Sequence, residues 1–198
     1  MGRFTAICGF ALAAVGLSLA GCVMGGGDGD QVGPLPEGSP MPAFSLVDSG
    51  GARVSSSELD LAGHPTLVLF FRTTCSDCRR ELPKVEAAYR AITERTGGSE
   101  RTGGSERTGG SGLNALAESF RMVAVSREPA AAVTNYWTAQ GYMMPWYRDP
   151  DGAVFADFEV SRVPTLYLFG SDGTLAFAAV ETFDFDAEGL MEIIEGVE

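Results

Sequence analysis

The sequence predicts an α/β domain, a central mixed β-sheet flanked by helices with an N-terminal β-hairpin extension. Three observations predict it. Thr66-Leu67-Val68-Leu69-Phe70-Phe71 is an uninterrupted apolar and β-branched run, as expected of a strand covered on both faces. Helical periodicity follows within a few residues, with Leu82, Val85, Ala88 and Tyr89 sharing one face. Strand-like and helix-like stretches then alternate as β-α-β-α-β-β-α, which right-handed crossovers build into one sheet with helices on both sides.

The first residues are of another kind. Arg3 precedes an apolar, uncharged run from Phe4 to Ala20 that ends in small residues and is short for a membrane span. Residues 1–21 are therefore expected to be a signal peptide. Leu19-Ala20-Gly21-Cys22 resembles a bacterial lipobox, which makes Cys22 the expected lipidation site. Residues 22–38 are rich in Gly, Pro and Asp, cannot bury apolar surface, and are expected to form a flexible tether. The folded domain is placed at 39–198.

Within it, Phe44 and Leu46 alternate in a short strand, Ser49-Gly50-Gly51 turns, and Arg53-Val54-Ser55 pairs back as a hairpin. Ser57-Glu58-Leu59 leads through Gly63-His64-Pro65 to the buried strand. The helix after it contains Pro83, which removes one backbone bond and kinks it. Glu94 to Ser111 is three copies of Glu-Arg-Thr-Gly-Gly-Ser. A repeat without apolar positions has nothing to stack, so a low-complexity loop is expected at 94–112. Arg121-Met122-Val123-Ala124-Val125-Ser126 is the next strand, and Pro129 opens a helix to about Gln140. Gly141 to Asp151 is expected to be a loop. Thr165 to Phe169 is a strand, Ser171-Asp172-Gly173-Thr174 a hairpin turn, and Leu175 to Val180 the returning strand. Asp184 or Asp186 caps a final helix through Leu190, Ile193 and Ile194.

The chemistry points to Cys75-Ser76-Asp77-Cys78, at the junction of the buried strand and the helix. A cysteine at a helix N-terminus faces unpaired N–H groups and the positive end of the dipole, which favours its thiolate. Cys78, one turn later, is close enough to attack a mixed disulfide on Cys75. Cys75 is thus the candidate nucleophile and Cys78 the resolving thiol of a redox-active disulfide. Of the four cysteines, Cys8 departs with the signal and Cys22 carries lipid, leaving Cys75 and Cys78 as the free pair. Structural zinc needs four ligands, which one pair and one histidine, His64, do not supply. Neither a metal nor any other cofactor is expected. The formal charge of -12 argues against nucleic acid as a partner.

The opening Gly38-Ser39-x-x-Pro42-x-Phe44-Ser45-Leu46-x-Asp48 is followed by Gly63-x-Pro65 before the strand, and by Arg79-x-Glu81-Leu82-Pro83 after the cysteines. With Val163-Pro164-Thr165 these motifs resemble the TlpA/ResA group of the AhpC/TSA–redoxin superfamily, membrane-tethered thiol–disulfide oxidoreductases of thioredoxin-like fold. The resemblance covers about residues 38–198 apart from the repeat. It implies a cis Val163–Pro164 bond facing the cysteines, with Val163 backbone groups free to pair with an extended substrate strand, so that Val163 and Pro164 become substrate-binding residues. It places Glu81 near the cysteine pair, where proton exchange with Cys78 is the expected role and a solvent-facing helix position the rival one. Two departures stand out: Thr74 stands where the group has Trp, and Asp77 where it has Pro. Asp77 sets an anion beside a developing thiolate, which leans the expected direction toward a reductase.

The implied partners are thiol- or disulfide-bearing exported proteins and an upstream membrane or soluble thiol donor. The implied location is the cell envelope, lipid-anchored to a membrane facing the periplasm or the cell exterior. Alternatives are a peroxiredoxin-like thiol peroxidase, opposed by Arg72 where that pattern needs Thr, and a non-enzymatic surface or metal-handling module.

Overall fold

The computed structural model describes residues 34–97 and 120–197. The expected signal peptide at 1–21, Cys22, most of the expected tether and most of the repeat lie outside the described residues. Strand β3 (Thr66–Phe71) is central, and all six of its residues are buried. It pairs in parallel with β4 (Arg121–Ser126) and antiparallel with β6 (Thr165–Phe169). With β1 (Ser45–Asp48), β2 (Arg53–Ser55), β5 (Trp146–Arg148) and β7 (Leu175–Val180), the sheet has the order β2-β1-β5-β4-β3-β6-β7.

Alternation along β3 feeds two cores. Leu67, Leu69 and Phe71 pack with helix α1 (Ser76–Gly97), helix α2 (Ala130–Gln140) and helix α4 (Ala187–Glu195), through Leu82, Val85, Val133, Trp137, Leu190 and Ile194. Val68 and Phe70 pack on the other face with Phe44, Tyr167 and the short helix α3 (Ala153–Asp157). There the Phe70 ring meets Phe155 at 4.9 Å and Phe158 at 5.2 Å. Each such ring, fully buried, contributes about 1.5–3 kcal/mol. The β3–α1–β4 and β4–α2–β5 units step the same way along the sheet, so one handedness puts α1 and α2 on the same face.

The structure departs from expectation in four places. Trp146–Arg148, inside the segment expected to be a loop, is a strand parallel to β4 and antiparallel to β1. Through it the N-terminal hairpin extends the sheet, with β1 pairing against β5. Three residues are too few to show alternation, so only the neighbouring strands reveal this one. Helix α1 contains Pro83 without breaking, as expected, but it continues to Gly97, four residues into the first repeat copy, carried by Ile92 buried beneath it and by the good helix formers Glu94 and Arg95. Third, Ala153–Asp157 is a short helix where no element was expected. The end of the predicted tether is also docked: Leu35 is buried, its N–H donates to the Tyr167 hydroxyl at 3.2 Å, and Gly38 N–H donates to the Leu175 carbonyl at 2.8 Å.

The remaining local signals behave as their chemistry dictates. Gly173 takes φ 78° in the β6–β7 turn, a left-handed value that a side chain would disfavour. Asp186, not Asp184, caps α4, accepting from Gly189 N–H at 3.0 Å. No helix among the described residues is long and apolar enough to cross a membrane.

Candidate active site

The carboxyl end of β3 delivers Phe71 to a tight turn, and the turn starts α1 at Ser76. Cys75 N–H donates to the Arg72 carbonyl at 3.3 Å, and Arg79 N–H to the Cys75 carbonyl at 3.1 Å, which locks Cys75 onto the helix start. The first-turn N–H of Cys78 points at Cys75 Sγ from 3.5 Å, the contact expected of a helix N-terminus toward an anion. Cys75 is partly exposed, Cys78 is buried, and both are free thiols.

Cys78 Sγ accepts from Arg72 N–H at 3.4 Å. Burial pushes its thiol up to about 12, the Arg72 N–H offsets this in part, and Cys75 and Asp77 add to the rise. Cys78 is therefore held as a thiol at neutral pH. The other side of the site comes from the loop before β6. The Val163–Pro164 bond is cis, and the Cys75 thiol lies 3.4 Å from the Val163 carbonyl, to which it can donate. One thiol is thus accessible and faces a free-standing backbone carbonyl, while the other is sealed beneath it.

Glu81 is buried, and the solvent-facing reading is overturned. Three residues after Cys78, it shares that cysteine's inward helix face. Its Oε1 accepts from Arg80 Nε at 2.8 Å and its Oε2 pairs with Lys84 Nζ at 2.7 Å. Burial raises its carboxyl, but the hydrogen bonds and charges of Lys84 and Arg80 outweigh this and hold it below the usual carboxylate range. The carboxylate is held by these two cations and not by a sulfur. Asp77 is half-exposed and paired with Arg80 Nη1 at 2.8 Å, so Arg80 already offsets much of its charge.

Glu128 escaped the sequence reading. It lies two residues beyond β4, whose Ser126 is in register with Phe71 at the end of β3. Its carboxylate accepts from the Thr73 N–H, from Thr73 Oγ1 at 3.1 Å and from Thr74 Oγ1 at 3.3 Å. On the opposite side of the same residue, Arg79 Nε donates to the Thr73 carbonyl at 2.7 Å. The signal that finds Glu128 is positional: polar residues just past the carboxyl ends of adjacent parallel strands converge on one site.

Comparison with known proteins agrees with this geometry. Residues 38–97 match the AhpC/TSA family. The chain is 27% identical over 140 residues to the thiol-disulfide oxidoreductase ResA of Bacillus subtilis, a match covering 70% of this chain and 64% of that protein. Among solved structures, a thiol:disulfide interchange protein of the thioredoxin family from Chlorobium tepidum superposes with a TM-score of 0.58 at 19% identity, covering 82% of this chain and 98% of the other. StoA from Bacillus subtilis gives 0.55 at 19% identity, covering 79% and 98%. These likenesses establish the thioredoxin-like fold.

Proposed function

On a thioredoxin-like chain whose residues 38–97 are an AhpC/TSA segment, we propose a thiol–disulfide oxidoreductase that reduces disulfides in exported proteins through a Cys75/Cys78 cycle. The observation that carries this reading is the pairing of an accessible Cys75, at a helix N-terminus and facing Val163, with a buried Cys78 at its back.

Cys75, as thiolate, attacks one sulfur of the substrate disulfide; that S–S bond breaks, and the departing sulfur takes a proton. Cys78 then gives up its proton and attacks Cys75 Sγ, which releases the second substrate thiol. The substrate gains two electrons and two protons, and the protein is left with a Cys75–Cys78 disulfide, which an upstream dithiol donor reduces again. Val163 and Pro164 form the substrate-binding loop, with the Val163 backbone pairing an extended substrate segment beside Cys75. Glu81 serves as the relay that receives the Cys78 proton, and Lys84 and Arg80 keep it ionised for that task. The apolar leader and the lipobox-like stretch ending at Cys22 support a lipid-anchored location facing the periplasm or cell exterior.

Cys78→Ala is the test. The variant should accumulate a mixed disulfide on Cys75 with substrate proteins, and the trapped proteins should be ones synthesised with signal peptides. A variant that traps nothing, with wild-type thiols that do not respond to oxidation, overturns the reading. Mass spectrometry of the mature N-terminus tests Cys22: a diacylglyceryl adduct is expected, and an unmodified start elsewhere refutes the anchor.

A further inference from the structure

We infer that Glu128 is a positioning residue for the Cys75–Cys78 reaction, acting through Thr73 and Thr74 together with Arg79. The inference rests on the thiol–disulfide reading and deepens it at the same site.

The segment between β3 and α1 must present Cys75 Sγ to an incoming disulfide at one angle, because sulfur exchange proceeds in line. Short turns at strand ends carry few backbone bonds of their own, and here Cys75 N–H to the Arg72 carbonyl is 3.3 Å, at the long end of the range. What fixes the segment is a pair of opposite charges on a single residue. Glu128 takes the Thr73 N–H and both threonine hydroxyls from the β4 side. Arg79 takes the Thr73 carbonyl from the α1 side, with its guanidinium lying 5.8 Å over the Tyr136 ring of α2. Charge-assisted bonds are about twice as strong as neutral ones, so this latch outweighs the turn's own hydrogen bonding.

Glu128 is itself held. Its N–H donates to Ser126 Oγ at 3.2 Å, that buried hydroxyl lies 3.4 Å from Oε2, and Arg148 Nε donates to its carbonyl at 3.2 Å. The end of β4 and the start of β5 thus brace the latch. Thr74 matters for the same reason: its hydroxyl supplies one of Glu128's three grips on this segment.

A residue that positions without touching the reacting sulfurs changes rates in both directions and leaves the equilibrium in place. Stopped-flow oxidation of the reduced chain by oxidised glutathione, and reduction of the oxidised chain by glutathione, measure both. For Glu128→Ala, each rate should fall about tenfold, a modest part of the roughly hundredfold loss a 1 Å misplacement causes, with the ratio of rates within about twofold of wild type. Glu128→Gln should recover most of the loss, because its amide oxygen can accept the Thr73 N–H while its amino group donates to the threonine hydroxyls. Arg79→Ala, at an exposed position, should fold and show the same two-way slowing. If Glu128→Ala fails to fold, Arg79→Ala decides. Wild-type rates in either folded variant, or a shift in the equilibrium with unchanged rates, overturn the latch. A wild-type chain that does not exchange with glutathione at all overturns the thiol–disulfide reading instead.

Discussion

Helix α1 buries two glutamates little more than one turn apart, and they are held in opposite ways. Glu81 is held by the cations Arg80 and Lys84, whose side chains reach the surface. Glu86 is held chiefly by the main chain: it accepts the Met143 N–H at 2.9 Å and the Met144 N–H at 3.2 Å, with Arg90 Nε at 2.6 Å. Backbone donors cannot swing away, so Glu86 is bound into the fold and fastens the α2–β5 connection to α1. Side-chain cations can change partners, so Glu81 can change its protonation without unlacing the structure. The lesson is that a buried carboxylate declares its use by what satisfies it. On the proposed reading, α1 serves chemistry near the cysteines and stability farther along.

The strongest way to break this division is at its chemical end. Cys75→Ser should abolish disulfide exchange, while its melting temperature stays close to wild type. Residual turnover in that variant would transfer the nucleophile elsewhere. At the structural end, Glu86→Ala strips the part-buried Met143 N–H, the buried Met144 N–H and Arg90 of their partner. It should cost about 3 kcal/mol, read in thermal unfolding as about 6–12 °C, with activity per folded molecule retained.

Glu81→Gln sharpens the contrast. It should slow resolution of the mixed disulfide about tenfold or more, as loss of a proton acceptor does, while costing less stability than Glu86→Ala. The pH dependence has a definite sign. Because burial raises Cys78 to about 12, its thiolate is scarce at neutral pH and grows with pH over the whole accessible range. Resolution should therefore accelerate by on the order of tenfold per pH unit where a free thiolate is needed, and a flatter profile in wild type than in Glu81→Gln would mark the glutamate as the base. Equal profiles would remove Glu81 from the proton path. The smallest effect belongs to Asp77→Pro. Arg80 already pairs with Asp77, so the potential against glutathione should become less negative by less than about 30 mV, and a larger change would mean that the Asp77 charge is not offset in solution.

What was legible in the sequence was what is local. The apolar run of β3, the cysteine spacing and the helical stripe after it are contiguous, so periodicity alone places Cys75 at a helix start. The Val163–Pro164 loop and the place of Glu81 came by resemblance, because nothing in their own neighbourhood announces them. Whether Glu81 faces inward depends on Arg80 and Lys84 closing over it, which spacing does not show. Glu128 was hidden because its partner Thr73 is 55 residues away and only the register of β3 against β4 brings them together. Strand β5 was hidden for a similar reason, since its three residues become a strand only between β1 and β4.

The docked stretch before β1 has a consequence for how the domain behaves in a crowd. Strand β7 is an outer strand of the sheet, and Leu175 to Val180 carries no charge, a composition that invites a second chain to add on. Gly38 and Ser39 occupy the main-chain groups of Leu175 at 2.8 Å each, Met41 N–H donates to the Gly173 carbonyl at 2.9 Å, and Leu35 is buried in the core behind them. The segment that leads into the domain therefore also blunts the start of its most adhesive edge. A chain cut to begin at Pro42 would keep every residue of the redox site and lose that guard, leaving a domain more prone to edge-to-edge association.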